Sequence, residues 1–309
     1  MRKQSPPATR HPQESTGTTH TTDERLVELA LTGDAASLDA LLRRHQTWLY
    51  NVALRMLQQP QDAEEATQEC LLKIVTHLST FRGHSAFGTW AYRIAFNLML
   101  DRKRSRPELA VQGFDCYADY LAQATDEDLG AGYGSAPERH LLVEEAKLSC
   151  MMGMLLCLDR KQRLVFVLGE VFEVSDTVGS QVLDIGKANF RQRLSRARQE
   201  LGAFMQDRCG LVNPRNPCRC ARKTQAFVRD GVVDPAQRVF ARSHYIRVKD
   251  ISAQGHQAFE RLVGDTNTAL YRDHPFVDAP DLVSGLRQTL AGDSFQSLLH
   301  LNGPTRSSP

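Results

Sequence analysis

The 309-residue sequence has no uninterrupted apolar run of about 18 residues, the length a membrane-crossing helix needs, so no membrane association is expected. Its N-terminus is basic and polar and lacks the apolar core of a secretory leader, which makes the cytoplasm the expected compartment. There is no glycine-rich phosphate loop, no convincing carboxylate pair and no nucleophile beside a placed base. Enzymatic chemistry is therefore not expected, nor is a resident cofactor. Cysteine is scarce, seven residues in all, and never in the Cys-x-x-Cys spacing of a zinc ribbon. A cytosolic chain should keep such thiols reduced. Lys and Arg are missing altogether between Pro107 and Glu138, where Glu108, Asp115, Asp119, Asp126, Glu127, Asp128 and Glu138 supply only negative charge.

The net charge of +2 is uninformative, but its distribution is not. Basic residues bunch at 102–106, 187–198 and 215–229. Such segregation suggests a polyanionic partner for some parts and a basic channel for the acidic stretch.

The periodicity is helical almost throughout. Residues 1–22 are rich in Ser, Thr, Pro, Gln and His without a period and read as a disordered tail. Leu41, His45, Leu49, Val52 and Met56 then recur at helix spacing until Gln58-Gln59-Pro60 ends the run. A second helix starts near Asp62 and buries Ala63, Ala66, Cys70, Ile74 and Leu78. Residues 23–106 thus form one helical domain and 139–208 another. The acidic segment 107–138, with only isolated apolar residues, reads as a linker, and 209–309 as a mainly helical C-terminal extension. The fold class is all-α.

Three surfaces carry candidate chemistry. The helix entered through FRGHSAFG has an apolar stripe of Ala91, Ile94, Ala95 and Leu98. Another stripe carries Trp90, Arg93, Asn97 and Asp101 and runs into Arg102, Lys103, Arg104 and Arg106. A buried Trp90 beside an ordinary wet face would produce this pattern. So would a platform for separated DNA strands, because aromatic rings stack on unpaired bases for about 1–3 kcal/mol each. Arg and Asn would address base edges and the basic cluster phosphate, and Phe81, Arg82, His84 and Ser85 could edge a pocket for a flipped base. The second surface is the acidic and polar face Asp62, Glu64, Glu65, Gln68 and Glu69, which is either solvated or a dock for a basic partner. The third follows VSDTVGSQVLDIGKAN, which reads as a helix-turn-helix with Ser175 as the N-cap of its first helix. There Lys187, Asn189 and Arg191 would face base edges, while Arg193, Arg196 and Arg198 flank them, the last two placed for phosphate.

Cys209, Cys218 and Cys220 are buried or incidental thiols, or ligands for a soft metal whose fourth donor would come from His244, His256 or His274.

The residues from about Asp23 to Arg208 resemble the bacterial extracytoplasmic-function (ECF) sigma factors, promoter-recognition subunits of RNA polymerase. ALTGDAASLDALLRRHQTWLYNVALRML, DAEEATQECLLKI and FRGHSAFGTWAYRIAFNLMLDRKR are similar to successive parts of sigma region 2, and LDRKQRLVFVLGEVFEVSDTVGSQVLDIGKANFRQRLSRARQEL is similar to region 4. The resemblance implies that Asp62, Glu65, Gln68 and Glu69 dock on core RNA polymerase. It implies that Phe81, Arg82, His84, Ser85, Trp90, Arg93, Asn97, Arg102, Lys103 and Arg104 melt and hold the −10 element of promoter DNA. It assigns Lys187 to Arg198 to the −35 element and the acidic linker to the polymerase channel. An anti-sigma factor is a candidate partner, and 209–309 could restrain the DNA-binding domains in its place. The chain departs from the family where Glu-Ile-Ala becomes Val178-Gly179-Ser180, the turn glycine becomes Asp184, and Thr-Val-Lys becomes Asn189-Phe190-Arg191. Gly179 alone should cost roughly 1 kcal/mol against Ala inside a helix. A helix-turn-helix regulator that never binds core would explain 158–208 but leave the acidic face and the stripe at 90–104 without a role. A cysteine-based metal or redox regulator is the third reading.

Overall fold

The computed structural model describes residues 21–236, 238–239, 271 and 276–290. Among these there are twelve α-helices and no strand. The first domain comprises α1 (Asp23–Leu31), α2 (Ala35–Leu57), α3 (Pro60–His77) and α4 (Phe87–Asp101). The acidic segment carries α5 (Arg106–Ala110) and α6 (Phe114–Gln123). The second domain holds α7 (Ala136–Leu156), α8 (Arg160–Phe166), α9 (Asp176–Leu183) and α10 (Lys187–Arg208). Two helices of the extension follow, α11 (Cys220–Arg229) and α12 (Leu282–Leu290).

Local chemistry sets most boundaries. Thr22 and Asp34 cap α1 and α2, accepting from the Arg25 and Ala36 amides at 3.3 and 3.1 Å. Gln58 turns left-handed (φ 59°) after α2, and Pro60 opens α3, where its missing N–H costs nothing. Ser105 with Glu108, and Ser135 with Glu138, form reciprocal capping boxes.

α2 is buried almost all round and forms the axis of the molecule. Its Trp48 stacks on Tyr92 of α4 at 4.0 Å and meets Phe172 of the second domain at 5.1 Å. Arg55 lies over the same Phe172 ring, 5.3 Å from its centroid. The two domains therefore share one core.

The segment 107–138 differs from an extended tether. Its aromatic residues, isolated in the sequence, fall on one side of α6 and bury Tyr117 and Leu121. The Tyr117 hydroxyl donates to the Cys150 carbonyl at 3.1 Å, Phe114 meets Phe204 at 5.2 Å, and Tyr120 stacks on Phe227 at 5.9 Å. A Cβ on Gly153 would lie 2.5 Å from the Tyr117 oxygen, so α7 is glycine there to admit the ring. The acids turn to α11: Lys223 pairs with Asp126 at 3.1 Å and Gln225 donates to Glu127 at 2.8 Å. One lysine and one amide of the extension thus meet two of the acids in this segment.

In the extension, Val228 ends inside α11 and the following residues turn. Leu282 begins α12, while the helical spacing at 258–263 and 291–299 lies outside the described residues, as do 1–20.

Candidate nucleic-acid and docking surfaces

α4 is oriented by its apolar side. Ala91, Ala95 and Leu98 are buried and Ile94 is half-buried. The opposite side presents Arg93 and Asn97 to solvent, with Lys103 and Arg104 exposed beyond its C-terminus. Trp90 is half-buried in a cluster with Phe81 (5.5 Å) and Phe87 (5.6 Å). Both readings of that tryptophan have a physical counterpart here: one part of the ring anchors the loop and the rest stays accessible. Arg82 and His84 are exposed and Ser85 half-buried at the loop tip, and Arg82 donates to the Ser79 carbonyl at 3.1 Å.

Two arginines of this surface have partners that the sequence does not announce. Arg93 donates through Nε to the Gln181 carbonyl at 3.1 Å, and a second bond from Nη2 at 2.5 Å reaches the same oxygen. Asp184 lies 3.9 Å from it. The edge of the α4 surface is thus tied through Arg93 to α9, the first helix of the helix-turn-helix. Arg102 pairs with Glu65 at 3.3 Å and Glu69 at 2.6 Å, tying the basic cluster to the acidic face of α3. On that face Glu65, Gln68 and Glu69 are exposed, Asp62 is half-buried in the first turn, and Leu72 stands exposed beside them.

The helix-turn-helix forms where the sequence places it. Ser175 accepts from the Val178 amide at 3.3 Å, and Asp184 takes the left-handed turn conformation (φ 52°, ψ 46°). The departures at 179 and 190 belong together. A Cβ on Gly179 would sit 2.4 Å from the Phe190 ring, so the glycine makes room for a phenylalanine that is 1% exposed. Packing of a full ring offsets the helix propensity that glycine forfeits. Lys187, Asn189, Arg191 and Arg196 are exposed along α10. Arg191 lies 3.6 Å from Asp176, and Arg193 donates to Asn189 at 2.8 Å one turn away. Arg198, read from the sequence as a phosphate contact, is paired with the fully buried Glu170 of an intervening π turn (Val167–Val171). Its side chain is 42% exposed, so it serves the fold while its outer edge faces solvent.

A further group escaped sequence reading. Glu108 accepts from Arg160 Nε at 2.8 Å and Nη2 at 2.6 Å, and from Arg163 Nη1 at 2.9 Å. Arg160 also donates to the Leu100 and Lys103 carbonyls at 3.1 and 3.2 Å, and Arg163 to that of Met56 at 2.6 Å. Burial would raise the Glu108 carboxyl. Hydrogen bonds from Arg160 and the Ser105 amide, with the Arg163 charge, outweigh it and hold the group at about 2. Burial pulls Arg163 downward, but a guanidinium stays protonated, so the buried cluster is fully ionised. It locks α8 to the C-terminal end of α4. The only hint in the sequence is Ser105-x-x-Glu108, which reads as a capping box and no more.

Cys209, Cys218 and Cys220 line one small pocket together with Cys150 and the cations Lys147 and Arg208. The fourth thiol comes from α7, whereas His244, His256 and His274 lie outside the described residues. Burial pushes Cys220 up to about 12 and raises Cys150, Cys209 and Cys218 as well, with the charge of neighbouring sulfurs adding to it at Cys220, Cys150 and Cys209. Among the described residues no three His, Cys, Asp or Glu side chains stand close enough to hold a metal ion. Protonated, buried thiols are poor nucleophiles. No helix among the described residues is long and apolar enough to cross a membrane.

Residues 41–107 match the Sigma-70 region 2 family. The chain is 28% identical over 188 residues to the RNA polymerase sigma-H factor of Pseudomonas aeruginosa, covering 60% of this chain and 94% of that protein. It is 28% identical over 189 residues to the ECF RNA polymerase sigma-E factor of Escherichia coli, covering 60% and 95%. With the ECF RNA polymerase sigma factor SigW of Bacillus subtilis the identity is 27% over 180 residues, covering 57% and 92%. Near-complete coverage of three sigma factors, together with the matched region, leaves a stretch of this chain that the relatives do not have. Residues 41–107 thus carry a Sigma-70 region 2, and about 60% of the chain is similar to the extracytoplasmic-function RNA polymerase sigma factors, with a further stretch beyond the match.

Proposed function

We propose that this protein is a sigma factor that binds core RNA polymerase, brings it to promoters and helps open them. Docking falls to Asp62, Glu65, Gln68 and Glu69 on α3. The −35 element is read by Lys187, Asn189 and Arg191, with Arg193, Arg196 and the outer edge of Arg198 near phosphate. The α4 stripe and its loop hold the opened −10 strand, with Trp90 stacking, Asn97 and Arg93 at base edges and Lys103 and Arg104 at the backbone. The bond-making reaction belongs to the polymerase, and the proposal needs neither an enzymatic group nor a cofactor in this chain. The site of action is the cytoplasm, and an anti-sigma factor is a partner within the same reading.

The observation that carries the proposal is the presence, on one shared helical core, of the acidic α3 face, the aromatic and basic α4 face and the basic α10 face. A helix-turn-helix regulator requires only the last of these. Run-off transcription with purified bacterial core polymerase and genomic fragments is the test. Discrete start sites that depend on this protein are expected. DNA binding without core association or new starts would overturn the docking assignment.

A further inference from the structure

Part of the extension lies against the first domain, along α2 and α3. At its start the Phe276 ring meets Phe172 of the second domain edge-on at 5.8 Å. One residue later the backbone pairs with Asn51 of α2 in both senses. Asn51 Nδ2 donates to the Val277 carbonyl at 2.7 Å, and the Val277 amide donates to Asn51 Oδ1 at 2.9 Å. Asn51 is fully buried by this arrangement, so an amide inside α2 is satisfied by a strand-like segment more than two hundred positions away.

Asp281 immediately precedes α12. Its carboxylate accepts from the Ser284 amide at 3.1 Å and the Ser284 hydroxyl at 2.7 Å. Arg43 of α2 reaches over and donates to Asp281 at 2.8 Å and to the Ser284 oxygen at 2.9 Å. Leu282, Val283 and Leu286 are buried, and Gly285 faces α3, where an added Cβ would lie 4.0 Å from Gln68 Nε2, in ordinary contact. This is a short amphipathic helix seated in a groove between two others, with apolar anchors spaced one turn apart. The groove borders the acidic face: Gln68 lies beside Gly285 of α12, and Gln68, Glu65 and Glu69 all stay exposed.

We propose that residues 276–290 are an internal mask, seated in the α2–α3 groove beside the polymerase-docking residues, which core polymerase displaces when it binds. The inference rests on the sigma-factor reading of α3 and adds to it that the seated segment crowds the edge of the docking face, so the free chain binds core more weakly than it would with the groove open. The mask is part of the same chain, so its effective concentration at the groove is high and constant. The apparent affinity for core is then reduced by the fraction of molecules in which the groove is open. Because Phe276 sits on the second domain and Val277 on the first, lifting the segment also removes a tie between the two domains. The exposed Glu65 and Glu69 let an encounter with a basic partner surface begin before the mask lifts.

The test is titration of labelled full-length protein with purified core polymerase. Leu282→Asp with Leu286→Asp makes α12 unable to enter the groove and touches no docking residue. At least tenfold tighter binding than the parent is expected. Asp281→Ala, a milder exposed change that removes the Arg43 tie and the helix cap, should tighten binding by a smaller factor and keeps the test valid if the double change disturbs folding. Equal or weaker binding by both variants overturns the mask while leaving the sigma-factor reading intact. Failure of parent and variants alike to bind core at micromolar concentration overturns that reading and the mask with it.

Discussion

The two basic surfaces of this molecule use the same side chains and differ in how free those side chains are. On α10, Lys187, Asn189, Arg191 and Arg196 face solvent, with only nearby partners within their own helix-turn-helix. On α4, Arg93 is bonded to the Gln181 carbonyl of α9, and Arg102, just past the helix, is held by Glu65 and Glu69. The second helix of the helix-turn-helix is open to a duplex, while the first engages one arginine, Arg93, of the surface read as the single-strand platform. Composition alone therefore misjudges availability: a cation contributes to nucleic-acid binding only once its internal partners are released, and each release subtracts from affinity.

The largest effect that bears on this comparison is expected at the lock between the surfaces. Glu108→Gln leaves Arg163, with a side chain 4% exposed, without its counter-charge. A loss of about 3–5 kcal/mol in denaturant-melt stability is expected. The pH dependence has a definite sign. A carboxyl ordinarily near 4.5 and held near 2 in the fold contributes stability that is complete above about pH 4.5 and lost as pH falls toward 2. Acid unfolding of the parent should steepen in that window, and Glu108→Gln should flatten it.

Next is the helix shared by both surfaces. Gly179→Ala would raise helix propensity yet drive a methyl into the Phe190 ring. A net loss of about 1–3 kcal/mol is expected from overpacking, and Phe190→Leu in the same chain should recover part of it. Stabilisation by Gly179→Ala alone would show that the contact between α9 and α10 is looser than described.

The surfaces themselves should separate in a duplex-binding assay. Arg191→Ala should cost about 1–2 kcal/mol on a −35 duplex and lower the salt dependence. Arg93→Ala should change binding to the same duplex by less than about 0.5 kcal/mol, since its guanidinium is turned to α9 and not to a groove. Comparable losses from the two would erase the distinction. The smallest effect is chemical. Cys116 is exposed, whereas Cys70 and Cys209 are buried with raised thiols. A thiol reagent at pH 8 should modify Cys116 quickly in the folded chain and the buried pair only on unfolding.

Helix by helix, much of the framework was legible in the sequence, because amphipathic periods, the stop at Gln58-Gln59-Pro60 and the Ser175 cap are local signals. The residues of the candidate surfaces could be named for the same reason: face assignment follows from spacing along a single helix. Three features were not legible. The acidic segment looked like a tether because Phe114, Tyr117 and Tyr120 seem sparse until their partners on α7, α10 and α11 are in place. Gly179 looked like a defect because the ring it accommodates lies on another helix. The Cys150 thiol looked unrelated to Cys209, Cys218 and Cys220 because α7 and the end of α10 meet only in the folded chain.

The sequence by itself determined that the chain is all-α, roughly where the helices of 23–106 and 139–208 lie, and which types of side chain line each face, since these depend on neighbours within a turn or two. Tertiary structure alone decided which of those side chains are available. Arg93 against the Gln181 carbonyl, Arg198 against Glu170, the Glu108–Arg160–Arg163 lock and the seating of α12 beside Gln68 all join positions dozens to hundreds of residues apart. Such pairings leave no period in the sequence, because the energy of a buried charge or an apolar anchor is set by what surrounds it in space.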